Sequence, residues 1–187
     1  MKIVILNGSP NKQGTTKQLC DYLFKDQNEV ITYYAYDNKV KACIGCNYCF
    51  NHKNKCIYDG KDDFKKVMAD VIEADLLVLA SPLHFSSFSG KLLSLISRLQ
   101  VYFPLKYYYK EPLPFKDKKG LSIIVGGNDY PTMFDAIKPV DRIIYNHTNA
   151  KQVKRLLFKG SDQYSFEELI TKNSEFINEI KLFIKKD

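Results

Sequence analysis

Five short apolar runs, separated by stretches whose apolar residues recur at helical spacing, constrain this chain more than any other feature. The runs are Ile3 to Leu6, Val30 to Ala35, Leu76 to Ala80, Leu121 to Val125 and Val153 to Phe158. Apolar runs alternating with helical stripes are the signature of β-α units on a parallel sheet, so an α/β fold with five strands is expected. Phe64, Val67, Met68, Val71 and Ile72 fall at i, i+3, i+4, i+7 and i+8, one face of a helix that Asp62 or Asp63 can cap. Leu92, Leu95, Ile96 and Leu99 form a second stripe. Phe166, Leu169, Ile170, Phe176, Ile177, Ile180 and Ile184 form a third, and both read as core faces. A further stretch from Met133 to Ile144 contains Pro139, which should break the helix or restart it as a first-turn residue.

A chain of 187 residues fits one domain spanning 1–187, and no polar linker or repeat divides it. Hydrophobic residues at 45% and charged residues at 26% exclude a disordered or collagen-like chain. The net charge of +7 suits anionic ligands such as phosphates without identifying nucleic acid. No apolar run approaches the roughly 18 residues of a membrane span, and no signal peptide precedes Asn7-Gly8-Ser9-Pro10, so a cytoplasmic protein without a membrane partner is expected. Two segments depart from the β-α pattern: a cysteine-rich loop over 37–60 and a loop over 102–119, and loops this long inside a compact domain are usually functional.

The first apolar run ends in Gly8-Ser9-Pro10-Asn11-Lys12-Gln13-Gly14-Thr15-Thr16, followed by a helix with Leu19, Tyr22 and Leu23 on one face. Such a strand-loop-helix directs backbone N–H groups and hydroxyls toward a phosphate, and the helix N-terminus adds about half a positive charge. The fingerprints G-x-G-x-x-G and G-x-x-x-x-G-K-[ST] are both absent, which argues against dinucleotide-type Rossmann binding and P-loop hydrolysis. An ordinary turn, with Gly, Pro and Ser serving only geometry, is the competing reading of the loop taken alone.

The stretch from Val4 to Thr16 resembles the FMN phosphate loop of the flavodoxin-like NADPH-dependent FMN reductases. The segment Ala80 to Leu93, which reads A-S-P-L-H-F-S-S-F-S-G-K-L-L, is similar to that family's stretch lining the isoalloxazine ring. His84 stands where the family usually carries an aromatic residue. Gly126-Gly127-Asn128-Asp129 resembles the loop that approaches the flavin from the other side, where glycine allows close backbone approach. The resemblance implies a doubly wound sandwich, a sheet of order 2-1-3-4-5 with helices on both faces, and a ligand at the switch point between strands 1 and 3. It places Ser9, Asn11, Gly14, Thr15 and Thr16 on the FMN phosphate, and Pro82, Leu83, His84, Phe85, Ser86, Ser87, Gly126 and Gly127 around the ring.

Cys43, Cys46, Cys49 and Cys56 have the spacing C-x2-C-x2-C-x6-C, close enough for four thiolates to converge on one soft metal centre. The spacing resembles that of the iron-sulfur flavoprotein branch of the same superfamily, which implies a 4Fe-4S cluster beside FMN. Three other readings stay open: free or partly oxidised thiols, a structural zinc site, and a redox dithiol. Cys20, beside Leu19 in the first helix, reads as a small core residue. Lys106-Tyr107-Tyr108-Tyr109-Lys110 reads as part of a lid over the flavin or a subunit contact rather than a nucleic-acid patch.

Taken together, the resemblance implies an FMN-dependent oxidoreductase that takes electrons from NAD(P)H and passes them to a quinone, a free flavin or an electron carrier. No general acid or base is called for, and a homodimer or homotetramer is the implied assembly. The alternative is a flavodoxin-like electron-transfer protein with no turnover of its own.

Overall fold

The computed structural model describes residues 1–185 of the 187. Its five strands are β1 (Ile3–Asn7), β2 (Val30–Tyr34), β3 (Leu76–Pro82), β4 (Lys118–Val125) and β5 (Ala150–Phe158). All pair in parallel in the order β2-β1-β3-β4-β5, the expected doubly wound arrangement. The helices are α1 (Thr15–Phe24), α2 (Tyr48–Asn51), α3 (Phe64–Glu73), α4 (Gly90–Ser97), α5 (Phe103–Tyr107), α6 (Ile137–His147), α7 (Phe166–Lys172) and α8 (Ser174–Lys185), with a 3-10 turn over Arg98–Tyr102.

Successive strand residues point to opposite faces of the sheet, so the continuous apolar runs feed two cores. Val4, Leu6, Leu77, Leu79 and Ile124 pack with residues of α3, α4 and α6, such as Val67, Leu92 and Ile144. Ile3, Ile5, Leu76, Val78, Leu121 and Ile123 pack on the other face with Leu19 and Leu23 of α1 and Ile177, Ile180 and Ile184 of α8. Within the first of these layers, Asp141 of α6 is fully buried. It accepts Nε and Nη2 of Arg155 on β5 at 2.7 Å each and the Ser122 hydroxyl of β4 at 2.8 Å. A bidentate pair of this kind fixes α6 against two strands at once.

Several boundaries differ from the sequence reading. Pro139 lies in the first turn of α6, where its missing N–H costs nothing, and residues 131–136 are turns. The C-terminal stripe is two helices: Asn173 closes α7 through a side-chain bond to the Leu169 carbonyl at 2.8 Å, and Phe176 is exposed rather than core. The segment 102–119 is not one loop, because its start is helical and its end belongs to β4. Asp63 sits at the N-cap of α3 without a side-chain bond, and Asp62 supplies it instead, accepting the Phe64 N–H at 3.1 Å.

Candidate functional site

The carboxyl edge of the sheet brings the first two loops together. Register aligns Asn7 with Tyr34 and with Ala80, and the Gly8 N–H donates to the Ala80 carbonyl at 2.7 Å, so both loops leave from the β1/β3 crossover. That is the switch point where ligands of such sheets bind. Gly8 is required by packing: a Cβ there would meet Ser89 Oγ at 2.5 Å and Leu92 Cβ at 2.8 Å. The Asn7 side chain accepts the Ser9 N–H at 2.8 Å. Ser9 is buried, and its hydroxyl is used within the loop, donating to the Asn11 carbonyl at 3.1 Å and accepting the Asn11 N–H at 3.2 Å. Asn11 is exposed and accepts the Gln13 N–H at 2.9 Å. Gly14 is the N-cap of α1 and offers no side chain, and the first turn, with Thr15 half-buried and Thr16 buried, carries no acidic residue. The leading N–H groups of α1 and its positive end therefore face the loop without a neutralising side chain.

The second loop is tied at its base by Ser81, whose hydroxyl donates to the Pro82 carbonyl at 2.7 Å and accepts the Ser89 N–H at 2.9 Å. At its tip, His84 and Ser87 exchange backbone bonds at 2.9 Å, and between them Phe85 (φ 48) and Ser86 (φ 57) are both left-handed. This is the turn geometry that usually demands Asn or Gly, so the two side chains hold it under strain. Phe85 is fully solvent-exposed and His84 is exposed, while Pro82, Leu83, Ser86 and Ser87 are half-buried.

The third loop joins the second through the Leu83 N–H, which donates to the Val125 carbonyl at 2.7 Å, and through Ser86 Oγ and Tyr130 Oη, 3.4 Å apart. A Cβ on Gly126 would strike Met133, and one on Gly127 would strike Asp162. These glycines are accounted for by packing within the chain, not only by room for a ligand.

The cysteine loop is bent by Gly45 (φ 67) and Asn47 (φ 54), both left-handed, and Asn47 starts the single turn of α2. All five cysteines are free thiols. The Cys43 N–H donates to Ser97 Oγ at 2.9 Å, the Cys49 thiol lies 3.8 Å from the Gln100 carbonyl, and the Cys56 N–H donates to Asp59 at 3.0 Å. Burial pushes the Cys49 thiol up, and the fields of Cys43, Cys56 and Cys46 add to it. Among the described residues, no three His, Cys, Asp or Glu side chains are gathered closely enough to hold a metal ion. The loop is fastened by Arg98, which pairs with Asp62 and donates to the Lys41 carbonyl at 3.1 Å. Burial pushes the Asp62 carboxyl up, but bonds from Arg98 and from the Lys41 and Phe64 amides outweigh it and hold it below the usual carboxylate range.

The family model described as NADPH-dependent FMN reductase matches residues 1–136, which include both switch-point loops, the cysteine loop and Gly126-Gly127. The chain belongs to the NADPH-dependent FMN reductase family. An iron-sulfur flavoprotein of Methanocaldococcus jannaschii is 30% identical over 131 residues, 68% of this chain and 63% of the relative. Another iron-sulfur flavoprotein, from Archaeoglobus fulgidus, is 34% identical over 101 residues, 52% of this chain and 48% of the relative. The chain thus spans less than two thirds of the length of these curated relatives. Solved structures of similar fold include an FMN-dependent NADH-azoreductase of Bacillus anthracis, with TM-score 0.72, 14% identity and full coverage of both chains. An NAD(P)H:quinone oxidoreductase of Methanothermobacter marburgensis has TM-score 0.72 at 12% identity, covering 100% of this chain and 97% of that one.

Within this FMN reductase framework, the residues present fit a bound FMN. Asn7 Nδ2 and Ser89 Oγ are buried beside the crossover without a hydrogen-bond partner, and native proteins rarely leave such atoms unsatisfied. Both adjoin the Gly8–Thr16 loop, whose helix end carries no acidic side chain. The four thiols of the cysteine loop are by their chemistry a soft-metal donor set, and among the described residues they are not gathered on a common centre. Sequence reasoning missed Asn7, Ser89, Tyr130 and Arg98. An arginine set between Ile96 and Leu99 in an apolar stripe was the signal available for Arg98.

Proposed function

We propose that this family member is an FMN-dependent NAD(P)H oxidoreductase that delivers electrons to a quinone, a free flavin or an electron carrier. The observation that carries the reading is the convergence of the Gly8–Thr16 loop and the Pro82–Ser87 loop on the β1/β3 switch point, with the start of α1 left unneutralised. Bound FMN would supply the two-electron chemistry, and a 4Fe-4S cluster on Cys43, Cys46, Cys49 and Cys56 would divide it into single-electron steps. The chain's own residues bind and orient: the amides of Thr15 and Thr16 hold phosphate charge, Ser9 and Asn11 shape the loop, and Gly14 opens the helix end.

In the same reading, the strained turn at Phe85 and Ser86 presents a rigid edge to the ring, flanked by His84, Ser87, Pro82 and Leu83. The backbone at Gly126 and Gly127 closes the opposite side. The exposed Phe85 side chain supports a homodimer or homotetramer in which a second copy covers it. The free thiols support a cytoplasmic setting. The names of the relatives support the cluster.

Absorbance spectra of protein purified without oxygen, with iron and sulfide assays and NADPH oxidation on the same sample, test this reading. Flavin bands, about four irons per chain and nicotinamide-dependent bleaching are expected. Flavin that a reduced protein partner bleaches but no nicotinamide does would instead establish the carrier alternative, and absence of flavin would overturn the reading.

A further inference from the structure

The aromatic stretch that follows the 3-10 turn closes on the cysteine loop. Pro104 and Leu105 of α5 are buried, and their carbonyls accept the N–H groups of Tyr109 and Glu111 at 2.8 Å each. With Lys110 left-handed (φ 57), the chain folds back on that base and brings both side chains to α2. The Tyr109 hydroxyl donates to the Phe50 carbonyl at 2.5 Å, and Glu111 pairs with Lys53. Lys53 Nζ also lies 5.0 Å from the centre of the Tyr109 ring, and the Phe50 ring packs against Phe103 at 6.5 Å and Tyr108 at 6.1 Å. These contacts all fall on α2 and the residues just after it.

Cys49 belongs to that gripped turn, beside Phe50, and its thiol lies 3.8 Å from the Gln100 carbonyl. Cys43 is tied to the same wall through Ser97 Oγ at 2.9 Å, whereas the Cys56 N–H is held by Asp59 and Cys46 is exposed on the bend between Gly45 and Asn47. With these ties in place the thiols are not gathered on a common centre among the described residues. Bringing them together calls for a shift of the loop backbone, and the bonds to the Phe50 carbonyl and to Lys53 oppose such a shift at α2. A neutral hydrogen bond and a partly exposed ion pair each move an equilibrium by no more than about tenfold, enough to set a resting position and little enough to release.

We propose that Tyr109 and Glu111 are positioning residues that latch the α2 turn, holding Cys49 apart from the other loop thiols until the Phe50 carbonyl and Lys53 are released. The inference rests on the reading of the loop as a soft-metal site, so one of its two readouts needs no metal. Tyr109→Phe and Glu111→Gln, singly and together, are compared with wild type and with Tyr107→Phe, a control whose ring contacts are to Phe103 and His147. On reduced, metal-free protein carrying FMN, peptide mass spectrometry gives the rate at which iodoacetamide alkylates each cysteine. Titration with Cd2+ alone, read by thiolate-to-metal absorbance, gives metal affinity, and circular dichroism checks folding.

Each single variant should alkylate at Cys49 about two- to tenfold faster, the double variant faster still, and Cd2+ should bind tighter by a similar factor because the binding-competent loop is more populated. Tyr107→Phe should match the wild type. Cys20, buried in α1, should keep its rate, since a general loosening of the fold would speed it as well. Unchanged Cys49 alkylation in the variants overturns the latch. Faster alkylation with weakened Cd2+ binding also overturns it, because the segment would then build the site rather than hold it open. Faster Cys49 alkylation in proteins that bind no Cd2+ leaves the latch standing and overturns the soft-metal reading. Cd2+ bound through thiolates, with affinity and alkylation alike in wild type and variants, does the reverse.

Discussion

The guanidinium of Arg98 and the carboxylate of Asp62 form an ion pair in which each side chain is only 1% exposed. Arg98 lies just past α4 and Asp62 at the end of the cysteine loop, so the pair locks that loop against the helix that follows the ring loop. The guanidinium also lies 4.6 Å from the Phe64 ring centre and 5.2 Å from that of Tyr58. Its Nε and Nη2 remain buried without acceptors.

Removing one partner of such a pair strands a buried charge, so Asp62→Ala is expected to cost about 3–5 kcal/mol, and replacing both partners by apolar residues much less. The pH dependence follows from the depressed Asp62 carboxyl. Its contribution is complete above the ordinary aspartate value of about 3.9 and is lost as pH falls through the lower folded-state value. Urea unfolding of wild type and Asp62→Ala at pH 7 and pH 3 should show the gap narrowing in acid. A gap that widened would contradict the pairing.

Gly8→Ala places a methyl group against Ser89 and Leu92, an overpacking worth about 1–3 kcal/mol. Because the same residue opens the loop at the switch point, flavin retention should fall with stability. Gly120→Ala, which meets the Tyr145 ring at 2.6 Å, should cost stability while leaving flavin affinity near that of the wild type. Equal retention by both variants would detach Gly8 from the ligand.

Thr16→Val combined with Ser9→Ala should weaken FMN binding through two routes. Loss of a hydrogen bond to a charged phosphate is worth about 1.5–3 kcal/mol, and loss of the Ser9 hydroxyl frees the Asn11 turn. Fluorescence titration of the apoprotein with FMN measures the sum, and unchanged affinity would remove both hydroxyls from the site.

Alkylation of the reduced, metal-free native protein should separate the cysteines into two classes. Cys20 is 5% exposed in α1, and burial pushes its thiol up to about 12, so it should react only on unfolding. Cys43, Cys46, Cys49 and Cys56 are half-buried or exposed and should react first. Mass spectrometry after brief iodoacetamide treatment should find at most four modified sites, and rapid labelling of Cys20 would refute its core placement.

Lys118 supplies a pH effect at the alkaline end. Burial pulls its ammonium down to about 8, although Nζ donates to the carbonyls of Val71 and Ile72. A base with a folded-state value below its unfolded one burdens the fold at low pH, and that burden lifts between about pH 8 and 10.4. Wild type should therefore gain stability relative to Lys118→Met across that window in thermal melts, and a loss would reverse the assignment.

The strand count, the identity of the two switch-point loops and the cysteine spacing are local properties, and each was legible in the chain. Ile3 to Leu6 and Leu76 to Ala80 are apolar without a break because both faces of β1 and β3 are covered. Pro139 marked its own helix start because its missing N–H is harmless only there. Other features depend on residues far apart in sequence. The solitary arginine at 98 gives no hint that its partner lies 36 positions earlier, nor does Gly8 reveal that Ser89 and Leu92 stand where its Cβ would be. Nor does Ser9 reveal by itself that its hydroxyl meets both the N–H and the carbonyl of Asn11.

What the sequence alone determined, then, is the alternation of elements and the chemistry on each loop, because periodicity, turn residues and donor types act over a few neighbours. Only the tertiary structure decided which charges are buried in pairs and which glycines serve packing. Those properties arise when the parallel sheet brings the ends of β1, β3 and β4 to one edge, and no local rule encodes that distance.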